Sequence, residues 1–211
     1  MMVFGLTIYQ LIFVIAVPII VILVVIFVLV IPIRKSHIKN KYDDYYYRTI
    51  HKIVVNEDYY LINRFLFKID DSHVGTIDHI IFGEKYIYII SAEYYDGDIT
   101  GKQFDKSLIL VPHKKGKKRY IVNPFLESKN LLERLSMNTD IDSDLMIGIV
   151  LVNNDVSINI MNESKQYYAI QINKLASLIK AIESRDIPTI NEQQLDRAVK
   201  VFDKLNRRRD K

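Results

Sequence analysis

The stretch TIDHIIFGEKYIYIISAEYYDGDITG, residues 76–101, decides the fold. Its first limb, Thr76–Phe82, is branched and apolar apart from Asp78 and His79. Gly83, Glu84 and Lys85 make a short turn, and Tyr86–Ala92 returns as an apolar run of strand length. A return so uniformly apolar predicts a central strand, buried on both faces. Asp96 and Gly97 make a second turn, and Ile99–Phe104 continues the sheet. The hairpin carries an acid, Asp78, on one limb and the run Ser91, Ala92, Glu93 at the end of the other. His79, one position along from Asp78, faces the opposite way as a packed side chain.

Working outward, Tyr59–Lys68 reads as a preceding strand, and Ser107–Val111 and Arg119–Val122 as two following ones. Between the latter lies a hairpin tip with Lys114, Lys115, Lys117 and Lys118. Two readings of it stand: the lysines keep the tip soluble, or with Arg119 they form a patch for nucleic-acid phosphates. Asn123–Pro124 is a helix start, because Asn accepts from free amides and Pro fits the first position. That helix should reach about Met137 with Phe125, Leu131, Leu132 and Leu135 inward. Leu145–Val152, Ser157–Ile160 and Tyr167–Ile172 are further strands. Asn173 is expected to cap a helix to Ser184, and Asn191 with Gln194 forms a capping box for a last helix to about Arg208. Strands first, then helix, strand and helices, predict an α/β class with a mixed sheet and flanking helices.

The N-terminal end differs in kind. Met1–Ile33 holds no charged side chain, whereas Arg34, Lys35, Lys39 and Lys41 follow with no acid among them. About 20 apolar residues span a bilayer, so Ile12–Ile31 is expected as a single transmembrane helix, with Pro18 inside and Pro32 at its end. Positive charge stays on the cytoplasmic side, which puts the N-terminus outside the cell membrane and the C-terminal domain in the cytoplasm. The expected division is an anchor over 1–33, a basic, tyrosine-rich juxtamembrane segment and first helix over 34–56, and a domain over 57–211. Tyr42, Tyr45, Tyr46 and Tyr47 form either an interfacial belt or the packed face of that helix. The chain lacks cysteine, which excludes disulfides, thiolate zinc sites and a cysteine nucleophile. Its net charge of +4 permits contact with nucleic acid or lipid phosphate without demanding it.

These motifs, in this order, resemble the nuclease-related domain (NERD) family, over about Tyr42–Arg208. The family pattern has Ile-Asp, a hairpin, an apolar strand ending Ile-Glu-x-Lys-Asn, a Gly-x-Ile-x-Gly turn, and Asn-Pro-x-x-Gln opening a helix. Here Ile77–Asp78, Gly97–Ile99–Gly101 and Asn123–Pro124 match, with Glu127 in place of the Gln. The resemblance implies a restriction-endonuclease-like PD-(D/E)XK fold. It implies two carboxylates holding Mg²⁺, and a lysine two residues beyond the second.

The departures fall on those positions. Ser91 stands where the second carboxylate is expected, Glu93 where the lysine is, Tyr94 where Asn is, and Tyr46 is nearest to the early-helix glutamate. The catalytic positions carried over are therefore Asp78, Ser91 and Glu93. Either the site is degenerate and needs no cofactor, or it has migrated, with Asp78 and Glu93 holding Mg²⁺ and Lys85 or Lys102 supplying charge. Three functions follow: a membrane-tethered nuclease, a lapsed module binding nucleic acid or a protein partner at the membrane, or a membrane-surface scaffold. The second is the expectation adopted.

Overall fold

The computed structural model describes residues 8–26, 31–68, 74–114 and 116–206. Compactness divides the chain into Met1–Asp44 and Tyr45–Lys211. In the first unit, helix α1 covers Ile8–Val25 with Pro18 inside it. Helix α2 runs Ile31–Asn56, carrying the basic and tyrosine-rich residues of the expected connection. This corrects the N-terminal expectation. Pro32 lies inside the described span of α2 and not at a helix end. Among the described residues no helix is long and apolar enough to cross a membrane. The end of the expected span, at residues 27–30, lies outside the described residues.

The second unit is a mixed α/β structure with two sheets. Strands β1 (Tyr60–Lys68), β2 (Val74–Phe82) and β3 (Ile87–Glu93) form an antiparallel meander. Strands β7 (Met146–Val152) and β9 (Tyr167–Gln171) join it in parallel, giving the order β1-β2-β3-β7-β9. The second sheet has the order β6-β5-β4-β8, from β4 (Gly97–Lys102), β5 (Ser107–Pro112), β6 (Arg119–Val122) and β8 (Ile158–Met161). The residues read as continuing the first sheet after Gly97 thus begin a second one. Within it, a Cβ on Gly97 would strike the Val111 carbonyl of β5, so these two backbones approach as only glycine allows.

Helix α3 (Pro124–Thr139) opens as the Asn-Pro pair predicts, with the Asn123 side chain accepting from the Phe125 amide at 3.0 Å. Its buried face carries Phe125, Leu132 and Leu135, and Leu131 packs at the edge of the core. Helix α4 (Leu175–Glu183) does not start on an Asn173 cap. A tight turn, Ile172–Lys174, leads into it, and the Asn173 amide instead donates to the Asn154 side chain at 3.1 Å. Helix α5 (Glu192–Leu205) has the expected capping box, Asn191 with Gln194, and ends at Leu205; residues 207–211 lie outside the described residues.

The main core lies between the first sheet, the second sheet, α3 and α5. Phe202 of α5 is its wedge, with ring centroids 5.5 Å from Phe65 and 5.3 Å from Phe82. The other face of the first sheet is buried too. There Tyr88 donates its hydroxyl to Glu183 of α4 at 2.6 Å, and the Lys85 amide donates to the same carboxylate at 2.9 Å. Burial pushes the Glu183 carboxyl up, against the opposing pull of these two bonds.

Gly148 of β7 is where α3 comes closest. A Cβ there would strike the Ser128 hydroxyl and the Tyr167 ring, and Ser128 Oγ is buried with no hydrogen-bond partner. Gly148→Ala is expected to cost about 1–3 kcal/mol in denaturant unfolding, with part regained by adding Ser128→Ala. Glu183 gives a pH test. A carboxyl raised in the fold favours its neutral form, so its contribution is present in acid and lost as pH rises through the raised value. Compared with Glu183→Ala, the wild type should lose stability as pH climbs above the ordinary glutamate value of 4.5. A difference that grows in the opposite direction contradicts this.

Candidate nuclease-type site

The β2–β3 ladder pairs Phe82 with Ile87 through to His79 with Ile90 and then stops. Continued, it would set Asp78 beside Ser91 and Ile77 beside Ala92. Instead Asp78 Oδ2 accepts the Ala92 amide at 2.8 Å, so a carboxylate oxygen stands where the Ile77 carbonyl would be. The strands part at the very acid that the sequence singles out.

The irregularity extends across β1. Ile77 and Ile80 lie in the same core cluster although three residues apart, and so do Ile62 and Phe65. A regular strand would send each pair to opposite faces. The odd steps are Asp78–His79 and, opposite them, Asn63–Arg64, where Arg64 adopts φ 52°. That left-handed conformation costs a non-glycine residue roughly 1–2 kcal/mol. His79 is buried, with Nδ1 2.6 Å from Asn63 Oδ1, and the alternation expected to turn it away from Asp78 is broken at this step.

Ser91 and Glu93 continue the alternation of Ile87 and Ile89, whose side chains enter the main core. They are therefore aimed at the side of the sheet that carries α3 and the second sheet. Tyr95 lies there, its phenol pushed up first by burial and then by the carboxylates of Glu93 and Glu127. Glu127 belongs to the first turn of α3. The sequence singled out Tyr46 as the residue nearest the early-helix glutamate. Only 1% exposed, it donates its hydroxyl to the Glu93 carbonyl at 3.0 Å. The loop after Glu93 is pinned by a side-chain amide that no motif flagged. Asn153 accepts from the Tyr95 amide and donates to the Tyr95 carbonyl, both at 3.0 Å.

The proposed auxiliary cations are elsewhere. Lys85 precedes β3 at the far end from Glu93, eight positions and ~26 Å away at strand rise. Its ammonium is bound to the Arg185 carbonyl at 2.5 Å. Lys102 ends β4, beside Met161. The basic hairpin tip, in contrast, hangs from the loop that follows Glu93. The His113 amide donates to the Asp96 carbonyl at 3.1 Å, and Arg119 pairs with the Asp96 carboxylate at 2.7 Å. His113 also meets Asp98, and the Ser157 amide donates to the same oxygen; these bonds hold the Asp98 carboxyl below its usual range. Lys114, Lys117 and Lys118 are exposed on that tip, and Lys115 lies outside the described residues.

A family model described as the nuclease-related domain, NERD, matches residues 36–153. The chain belongs to the NERD family. No curated protein matches it. A crystal structure of a protein of unknown function, AF1548, aligns over 74% of this chain and 78% of that one, at 9% identity and a TM-score of 0.32, too low to carry an argument. The order α2-β1-β2-β3-α3-β7 is consistent with the endonuclease-like core that the resemblance implied.

Mg²⁺ wants a cluster of oxygen ligands, carboxylates foremost. Among the described residues no group of three His, Cys, Asp or Glu side chains could hold a metal. With Asp78 engaged by a backbone amide, a hydroxyl at 91 and a phenol at 46, the residues present do not fit that ion. Since Asp78 carries a structural bond, Asp78→Ala is expected to destabilise the fold by about 1–3 kcal/mol in metal-free buffer, and Asp78→Asn, which keeps an acceptor, by less. Unfolding midpoints equal to wild type for both would show that the bond carries no weight.

Proposed function

We propose that this NERD-family chain is a nucleic-acid-binding module whose nuclease centre has lapsed, held at a membrane by its uncharged N-terminal run. The carrying observation is the fate of Asp78, the one expected catalytic residue retained, whose carboxylate caps Ala92. Around it the charge balance runs the wrong way for phosphodiester cleavage. A glutamate and lysine together are neutral, whereas Ser91 and Glu93 leave one negative charge facing phosphate. Each lost stabilising group of this kind typically costs roughly 10²–10³ in rate.

Binding needs no metal. The lysines of the hairpin tip, tied to the loop after Glu93 through Asp96, supply cations at the same end of β3. Contacts of that kind neutralise phosphates and release counterions, so affinity falls steeply with salt. Membrane attachment is supported by the charge asymmetry between Met1–Ile33 and Arg34–Lys41. The apolar side chains exposed along α1, such as Phe13 and Ile20, point the same way.

The test uses the full-length chain in detergent with labelled single- and double-stranded oligonucleotides, DNA and RNA. Salt-sensitive binding without chelator-sensitive cleavage in Mg²⁺ or Mn²⁺ is expected. Cleavage abolished both by chelator and by Asp78→Asn would establish an active nuclease instead, and failure to bind at low salt would leave a protein partner as the module's ligand. For the anchor, the chain should resist carbonate extraction from membranes; release into the supernatant contradicts attachment.

A further inference from the structure

Among the described residues of the second unit, one side of the second sheet is buried in the main core and the other carries exposed side chains. Ile99, Leu108 and Leu110 are buried in the main core, with Ile121, Ile158 and Ile160 packed at its margin. The alternate positions turn outward. Register sets Tyr120 beside Ile109, Ile109 beside Thr100, and Lys102 beside Met161 across four strands. On that outer face Tyr120 is 79% exposed, Val122 70% and Met161 63%. Strand β6 is also an edge of its sheet among the described residues.

Lysines beside an open edge are ordinary guards against aggregation. A guarded edge, however, turns polar side chains outward, and this one turns out a tyrosine and a valine. An exposed ring on a sheet face, entered directly from a loop carrying Lys114, Lys117 and Lys118, is a different device: a stacking platform beside a run of phosphate-binding charge. At strand rise Tyr120 lies about 7 Å from Lys118, within reach of one nucleotide. A duplex hides the faces of its bases, so only an unpaired strand can lay a base on the ring. The lysines act as point charges and carry no sequence preference.

We infer that the outer face of the β6-β5-β4-β8 sheet is a seat for single-stranded nucleic acid, with a base stacked on Tyr120 and the backbone following Lys114, Lys117 and Lys118. This rests on the nucleic-acid reading above and adds to it the strandedness of the ligand and the residue that selects it. An acidic extended peptide is the competing occupant. It would add to the backbone edge of β6 and would not need the ring.

The experiment is fluorescence anisotropy of the full-length chain with a labelled thymidine oligomer and a matched duplex at low salt. Wild type is compared with Tyr120→Ala, Tyr120→Phe and Lys117→Ala/Lys118→Ala. Tyr120 is too exposed for its loss to unfold the chain, and a thermal melt checks this. Tyr120→Ala should weaken single-strand binding roughly five- to a hundred-fold, with a smaller effect on duplex, while Tyr120→Phe binds as wild type. The lysine pair should weaken both and flatten the salt dependence. If wild type binds and Tyr120→Ala binds equally well, this inference falls and the nucleic-acid reading stands. If wild type binds neither oligonucleotide, both fall. A Tyr120→Ala effect confined to self-association, or capture of an acidic peptide that leaves oligonucleotide behind, also overturns the inference.

Discussion

The carboxylate of Asp78 sits where β2 and β3 part, and it accepts the Ala92 amide that the next rung of the ladder would have taken. A half-buried amide left unpaired costs free energy comparable to a hydrogen bond, and where the strands separate a side chain replaces the missing carbonyl. The separation has consequences on both sides. It frees the end of β3 to continue alone with β7, and it coincides with the shift of face at Asn63–Arg64 that lets Phe65 as well as Ile62 reach the main core. The same oxygen atoms that a nuclease would offer to a metal are thus used to shape the sheet.

Side-chain amides do the corresponding work around the rest of that end. Gln103, fully buried, donates to the Tyr167 carbonyl at 2.7 Å and accepts the amides of Glu163 and Ser164. Asn123 caps α3 and also donates to the carbonyls of Gln103 and Asp105, binding helix, turn and sheet at one point. Asn153 holds the loop after Glu93. In consequence the basic hairpin is suspended from a rigid frame, and its position relative to the end of β3 follows from fixed bonds. A module that has lost cleavage can keep such a frame, because the frame owes nothing to the metal.

Most strands and helices of the second unit were legible because their signals are local. An apolar return of seven residues, Asn before Pro, and Asn191 three residues ahead of Gln194 each act within one element. The division into two sheets was not legible, because it is set by pairings between distant segments, such as β4 with β8 about sixty residues later. Asn173 failed as a cap because the helical turn already starts at Ile172, which places Asn173 inside it. At the N-terminal end, hydropathy registers the apolar run, while Pro32, read as a stop, lies inside the described span of α2. At the site, the sequence placed Asp78 on one limb of the hairpin and Ser91 and Glu93 at the end of the other, and β2 and β3 carry them there. What could not be read was that Asp78 turns to a backbone amide, or that Tyr46 bonds the carbonyl of Glu93, 47 residues away. The exposed ring of Tyr120 escaped notice because strand propensity is the same for a buried tyrosine and a bare one.

The central claim is that Asp78 serves the backbone and not a divalent ion. Calorimetric titration of Mn²⁺, then Mg²⁺, into the full-length chain and into Asp78→Asn tests it most directly. The account predicts indistinguishable titrations for the two chains. A stoichiometric site present in the wild type and lost in Asp78→Asn would contradict it.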